Sequence, residues 1–277
     1  MSYPLLTTGQ RAQIPFTFNR LLLSVYSVEE LCYLFKTNPF ILDSTIVDRK
    51  LANWLERECD LPELAEKLIK IVKKSKSAEE FVLVILDYSG YLTNEEKTRI
   101  TEVFKGNASV SDYEMEINRA DFLLKSGKYQ RARYEYDRIL MTLPHGERVI
   151  SARLHHNRGI SLIRLFLFEQ AAESFLKAYE LSHRPESGRA YLLCIRLNSE
   201  EVDYIRFISE HPSFHDLSLE VEHIYNQAVS VYNETESKQE LDELILDKAM
   251  GNGNSYNAGI ANMIKDIKKQ YRTATEV

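Results

Sequence analysis

The chain has 277 residues, 41 of them acidic and 35 basic, and its net charge of -6 leaves no basic excess to neutralise nucleic-acid or lipid phosphates. With 44% hydrophobic and 27% charged residues it is not a disordered polymer, and ten Gly and seven Pro are too few to punctuate a strand-rich fold. Helices are therefore expected, over one substantial core or two smaller ones.

Cys32, Cys59 and Cys194 are odd in number and far apart, so they provide neither a disulfide framework nor a zinc-ligand spacing. The opening "MSYPLLTTGQRAQIPF" lacks a basic region followed by an apolar stretch, and the longest apolar run, "FVLVIL" at 81–86, is far below the roughly 20 residues of a membrane span. A cytoplasmic protein without a membrane segment, metal or cofactor is the expectation.

Along the chain, "PFTFNRLLLSVYS" has no helical period and suggests a short hairpin before the first helix. Ser or Thr followed three residues later by Glu then marks helix starts, because such a pair can satisfy orphan amide donors reciprocally. Ser27 with Glu30, Ser77 with Glu80, Thr93 with Glu96, Ser111 with Glu114 and Ser237 with Glu240 fit, as does Asp60 with Glu63, with Pro62 in the first turn. Helices are expected near 27–36, 47–58, 61–75, 78–88, 94–105, 112–126, 129–143, 147–166, 168–182, 187–197, 200–209, 217–234, 238–250 and 256–272. The small, polar "KGNASVS" at 105–111 divides the chain into a helical domain at 1–105 and a second domain at 106–277.

In "KYQRARYEYDRILMTLP" the residues Tyr129, Ala132, Tyr136 and Ile139 are spaced three, four and three apart, and Phe168, Ala171, Phe175 and Ala178 repeat that spacing. Three and four residues both approximate one helical turn, so each set forms one face where small residues let helix axes approach and rings fill the flanks. Each is preceded by a partner helix, the first carrying Ile117, Ala120, Leu123 and Leu124 before Gly127, the second carrying Gly159, Leu162, Ile163 and Phe166.

These two hairpins resemble the tetratricopeptide-repeat family. Ala120, Gly127, Tyr129, Ala132, Tyr136 and Pro144 match its pattern in the first unit, and Gly159, Phe168, Ala171, Phe175 and Ala178 in the second. Departures are Ile139 at a small-residue position, Phe166 where the turn glycine belongs, and the proline displaced to Pro185. A third unit would place Leu193, Val202, Ile205 and Ser209 at the repeat positions, and Tyr225, Ala228 and Tyr232 make a further echo. The resemblance implies an all-α right-handed superhelix of hairpins, completed or capped by the C-terminal helices and preceded by the smaller helical domain.

It also implies a non-enzymatic adaptor that binds a partner protein or peptide on a concave face. The family's pattern assigns Ile117, Asn118, Asp121 and Lys125 to that face in the first unit, and Arg153, His156, Asn157, Ile160 and Arg164 in the second. Arginine and asparagine there can hold carboxylate or peptide groups. The family's carboxylate clamp needs Lys and Asn where this chain has Ile117 and Asp121, so a clamp is not expected.

Other signals are weaker. "KLIKIVKKSK" at 67–76 follows Asp60, Glu63 and Glu66, a charge order that complements its own helix dipole. The adjacent His155 and His156 point about 100° apart, and "HPSFHD" denies His211 and His215 a shared helical face, so no metal site assembles. The alternative is a bacterial peptide-sensing regulator with a DNA-binding N-terminal domain. Against it, "TNPFILDS" at 37–44 is an apolar, Pro-containing turn without a basic recognition helix.

Overall fold

Helical period, cap residues and the scarcity of breakers produce helices at all fourteen expected places. The computed structural model describes residues 8–38, 44–74, 77–107, 112–144 and 146–275, and within these the protein is all-α apart from one short ribbon. That ribbon is the expected hairpin: β1 (Phe16–Phe18) pairs antiparallel with β2 (Leu23–Val25), Phe16 opposite Val25 and Phe18 opposite Leu23. The Trp54 indole N–H donates to the Ile14 carbonyl at 2.8 Å and anchors the approach to β1.

Contacts divide the chain into two units, Met1–Phe122 and Leu123–Val277. The division falls inside a helix, beyond the 105/106 boundary read from the sequence, because Phe122 packs against the core of the first unit. Of the expected linker, 108–111 lie outside the described residues, and with them the Ser111 cap.

The first unit contains α1 (Val28–Thr37), α2 (Arg49–Arg57), α3 (Pro62–Lys73), α4 (Ala78–Ser89), α5 (Asn94–Asn107) and most of α6 (Asp112–Lys125). The apolar run at 81–86 makes α4 the central helix: Phe81, Val82, Ile85 and Leu86 are buried, and α1, α3 and α5 all pack against it. Ser27 and Ser77 cap as expected, each accepting from the amide three residues on at 3.2 Å. Thr93 and Glu96 form the full reciprocal box, with bonds of 3.3 and 2.9 Å.

Asp60 does not cap α3. Its φ of 55° is left-handed, whereas a capping residue needs an extended backbone, so Leu61 takes the cap position without a side-chain bond. Ser237 likewise lies inside its helix, which begins at Glu236 and is capped by Thr235, whose side chain accepts from the Lys238 amide.

The second unit continues through α7 (Tyr129–Thr142), α8 (Arg148–Arg164), α9 (Phe168–Ser182), α10 (Pro185–Leu197), α11 (Glu201–Glu210), α12 (His215–Asn233), α13 (Glu236–Ala249) and α14 (Gly253–Thr275). Each helix from α7 to α10 packs on the next, and α12 packs directly on α10. The aromatic–small spacing lies where close packing requires it, with Ala132, Tyr136, Ile139, Ala171, Phe175 and Ala178 all buried. A Cβ at Gly159 would stand 2.8 Å from the Phe175 ring, and one at Gly188 2.7 Å from Leu217, so both glycines permit a close crossing.

The turns after α6 and α8 share one hydrogen-bond pattern despite different residues. Lys128 N–H reaches the Leu123 carbonyl at 2.9 Å beside Gly127 at φ 74°, and Leu167 N–H reaches the Leu162 carbonyl at 3.0 Å beside Phe166 at φ 60°. Phe166 therefore holds a conformation that costs a side-chain-bearing residue roughly 1–2 kcal/mol.

The degenerate third echo of the repeat does not form an inner face. Val202, Ile205 and Ser209 point outward on α11, which instead buries Tyr204 and rests Phe207 and Ile208 on the core; Tyr232 and Ala228 on α12 are also exposed. The repeat spacing carried onto α11 is displaced from the helix's true inner face. Leu193 alone of that set packs against the core.

Candidate partner-binding face of the second unit

Because α7 and α9 flank α8 on both sides, most of α8 is buried or half-buried. From residue 151 onward only Arg153 and Arg164 are exposed, and the half-buried Asn157 and Ile160 lie between them. Spacings of four, three and four residues set these side chains on one stripe. The two guanidinium-bearing positions are about 16 Å apart along the axis. Arg153 and Asn157 are each engaged with neighbouring groups, and Ile160 rests partly on the apolar core.

His156 serves a different purpose from its open neighbours. It is half-buried, its Nδ1 lies 2.9 Å from Ser187 Oγ, and its ring meets the Phe175 ring edge-on at 5.3 Å. It therefore stitches α8 to α9 and α10. Lys125 is exposed at the end of α6, whereas Asn118 and Asp121 are half-buried in the first unit's part of that helix, with Ile117 buried beside them. Asp121 is engaged with a neighbouring group.

On the opposite side of α8, Arg158 Nε donates to Asp137 Oδ1 at 2.5 Å and its NH1 donates to the Ser174 hydroxyl. One guanidinium thereby ties α7, α8 and α9 together. This network and the salt bridge of Arg189 to Glu220 at 2.8 Å between α10 and α12 were not foreseen. The only available signal was that charged residues interrupt otherwise apolar helices.

Burial depresses both histidines of α8, His155 to about 4 with Arg158 and Lys177 adding to the effect. The unfolded chain takes up these protons near pH 6.5, while the folded protein takes up both only below that, His155 at about pH 4. Stability is thus fully present above 6.5 and falls as pH drops toward about 4. The thermal midpoint should decline between about pH 7 and about pH 4.5, and His155→Met should flatten that decline in a pH series of melting curves.

Burial also pushes the thiols up, Cys32 to about 11 and Cys59 and Cys194 to about 12, so all three are protonated and sheltered rather than nucleophilic. Among the described residues no group of His, Cys, Asp and Glu could hold a metal ion, and no helix is long and apolar enough to cross a membrane. The lysines of α3 serve the first unit itself: Lys70 pairs with Glu66 at 2.7 Å, and Lys67 lies over the Tyr88 ring.

Compared with known proteins, the chain matches no family model, no curated protein and no solved structure.

Proposed function

We propose that the protein is a non-catalytic, tetratricopeptide-like adaptor whose second unit holds a partner protein or peptide along α8. The carrying observation is the stripe Arg153–Asn157–Ile160–Arg164, the one open side of a helix otherwise packed on its neighbours. Two arginines with an amide and an aliphatic side chain between them suit an extended segment bearing carboxylates about 16 Å apart. Asparagine can pair with its backbone and isoleucine can cover an apolar side chain.

Buried glycine and alanine at the helix crossings support assigning these hairpins to a right-handed superhelical stack. Three buried free thiols support a reducing cytoplasm as the place of work.

Affinity capture from the native cell with mass spectrometry tests the reading. Arg153→Ala with Asn157→Ala, and separately Arg164→Glu, should lower recovery of the captured partner at least about tenfold, Arg164→Glu while leaving the melting temperature unchanged. Undiminished recovery with both variants removes α8 as the binding face.

A further inference from the structure

The second unit leaves a large part of its apolar surface unburied at its C-terminal end. Of the 21 large apolar side chains that stay exposed among the described residues, eleven lie in 215–275, less than a quarter of the chain. α13 has no buried residue at all. Its contact with α14 is a narrow seam in which Gly259 meets Leu244 and the Lys248 ammonium lies over the Tyr256 ring. Outside that seam Ile245 and Leu246 of α13, Met250 just after it, and Ile264 and Ile267 of α14 remain 45% to 63% exposed. Beyond the seam, α14 touches α7 and its Tyr271 ring lies 6.2 Å from that of Phe166, so the hairpin is tethered but gains little from packing.

We propose that the α13–α14 hairpins of two copies of this chain pair across a twofold axis into an antiparallel four-helix bundle. Charge selects the occupant. α13 carries five acidic and two basic residues, net -3, and α14 carries four basic and one acidic, net +3. With like helices on the diagonal of the bundle, the twofold lays each α13 against the partner copy's α14, so acid meets base at two equivalent places at once. An anionic membrane or nucleic acid would attract α14 and repel α13 equally, with no net gain. A second copy is the partner to which both helices are complementary.

The area also suffices. A standard interface takes about 800 Å² from each partner, a little over half of it apolar, and the hairpin offers Ile245, Leu246, Met250, Ile264, Ile267 and Tyr271, each at least 45% exposed, toward that apolar share. Glycophilic closeness is already present at Gly259, where a Cβ would stand 2.3 Å from Leu244, so the bundle core starts from two helices in intimate contact. This surface is independent of the α8 stripe.

Sedimentation equilibrium of the full chain from about 1 to about 200 μM tests the proposal. The expected mass is twice the 32.2 kDa of one chain, with weaker association at high salt. Ile245→Glu with Ile267→Glu changes exposed positions only, so circular dichroism should stay unchanged while association weakens at least about 100-fold. Glu240→Lys with Glu243→Lys, and Lys268→Glu with Lys269→Glu, should each weaken self-association alone and form a heterodimer when mixed. A wild-type chain that stays monomeric throughout overturns the proposal. So does a dimer that the isoleucine variant leaves intact, which would use another surface, or a monomer that binds anionic phosphatidylserine vesicles through these helices.

Discussion

Gly159→Ala should destabilise the second unit by about 2 kcal/mol, although the same exchange in an open helix stabilises by about 1 kcal/mol. The sign reverses because the new methyl would stand 2.8 to 2.9 Å from three atoms of the Phe175 ring. The ring has nowhere to retreat: it is 1% exposed and already meets His156 edge-on. Either α8 and α9 move apart, which opens gaps beside Ala171 and Ala178, or the ring leaves its rotamer, and both carry an energetic cost. Urea denaturation at constant m-value checks the loss. In a Phe175→Leu background the smaller side chain gives way, so the penalty of Gly159→Ala should shrink and the double-mutant cycle should show a coupling of about 1–2 kcal/mol. A stabilising Gly159→Ala would mean that the crossing is not set by this contact.

The same contact shows what one sequence makes legible. Gly159, Ala171 and Phe175 are legible together through the resemblance, which puts Gly159 on the first helix and Ala171 and Phe175 on the second helix of one hairpin, and local rules of period and capping locate the helices. Gly188 and Gly259 lie outside the two matched units, so no pattern pairs them with Leu217 and Leu244 on other helices. α11 shows a related limit: a repeat spacing fixes which residues share a face, but not which face turns inward, and Tyr204 takes the inner position rather than Val202 or Ile205. The α8 stripe was legible as a set of residues. Its division into open arginines and a stitched His156 was not, since Ser187 and Phe175 reach His156 from other helices. Asp60 and Ser237 obeyed the capping pattern and still failed as caps, because a backbone in the left-handed region or a better cap two residues upstream takes precedence.

Charge is the remaining case in which composition and structure part, and Arg196 exposes the difference. It is 8% exposed on α10, its Nε donates to Glu222 of α12 at 2.8 Å, and its guanidinium carbon sits 4.1 Å from the Tyr225 ring centre. Glu201 is 3.9 Å away but its side chain is 73% exposed, so it offers little compensation. Glu222→Ala should therefore cost about 2–3 kcal/mol, below the full penalty of a buried unpaired charge because water reaches the 36% exposed Glu222 side. Arg196→Met combined with Glu222→Leu removes both charges and keeps the volume, and should cost less than about 1 kcal/mol. Urea titrations of the single and double variants decide between two roles for the pair. If the double variant is as unstable as Glu222→Ala, the carboxylate contributes packing and hydrogen bonds to α12. If it recovers, as expected, the ion pair does not glue α10 to α12 but compensates a guanidinium whose flat faces are what the Tyr204 and Tyr225 rings hold.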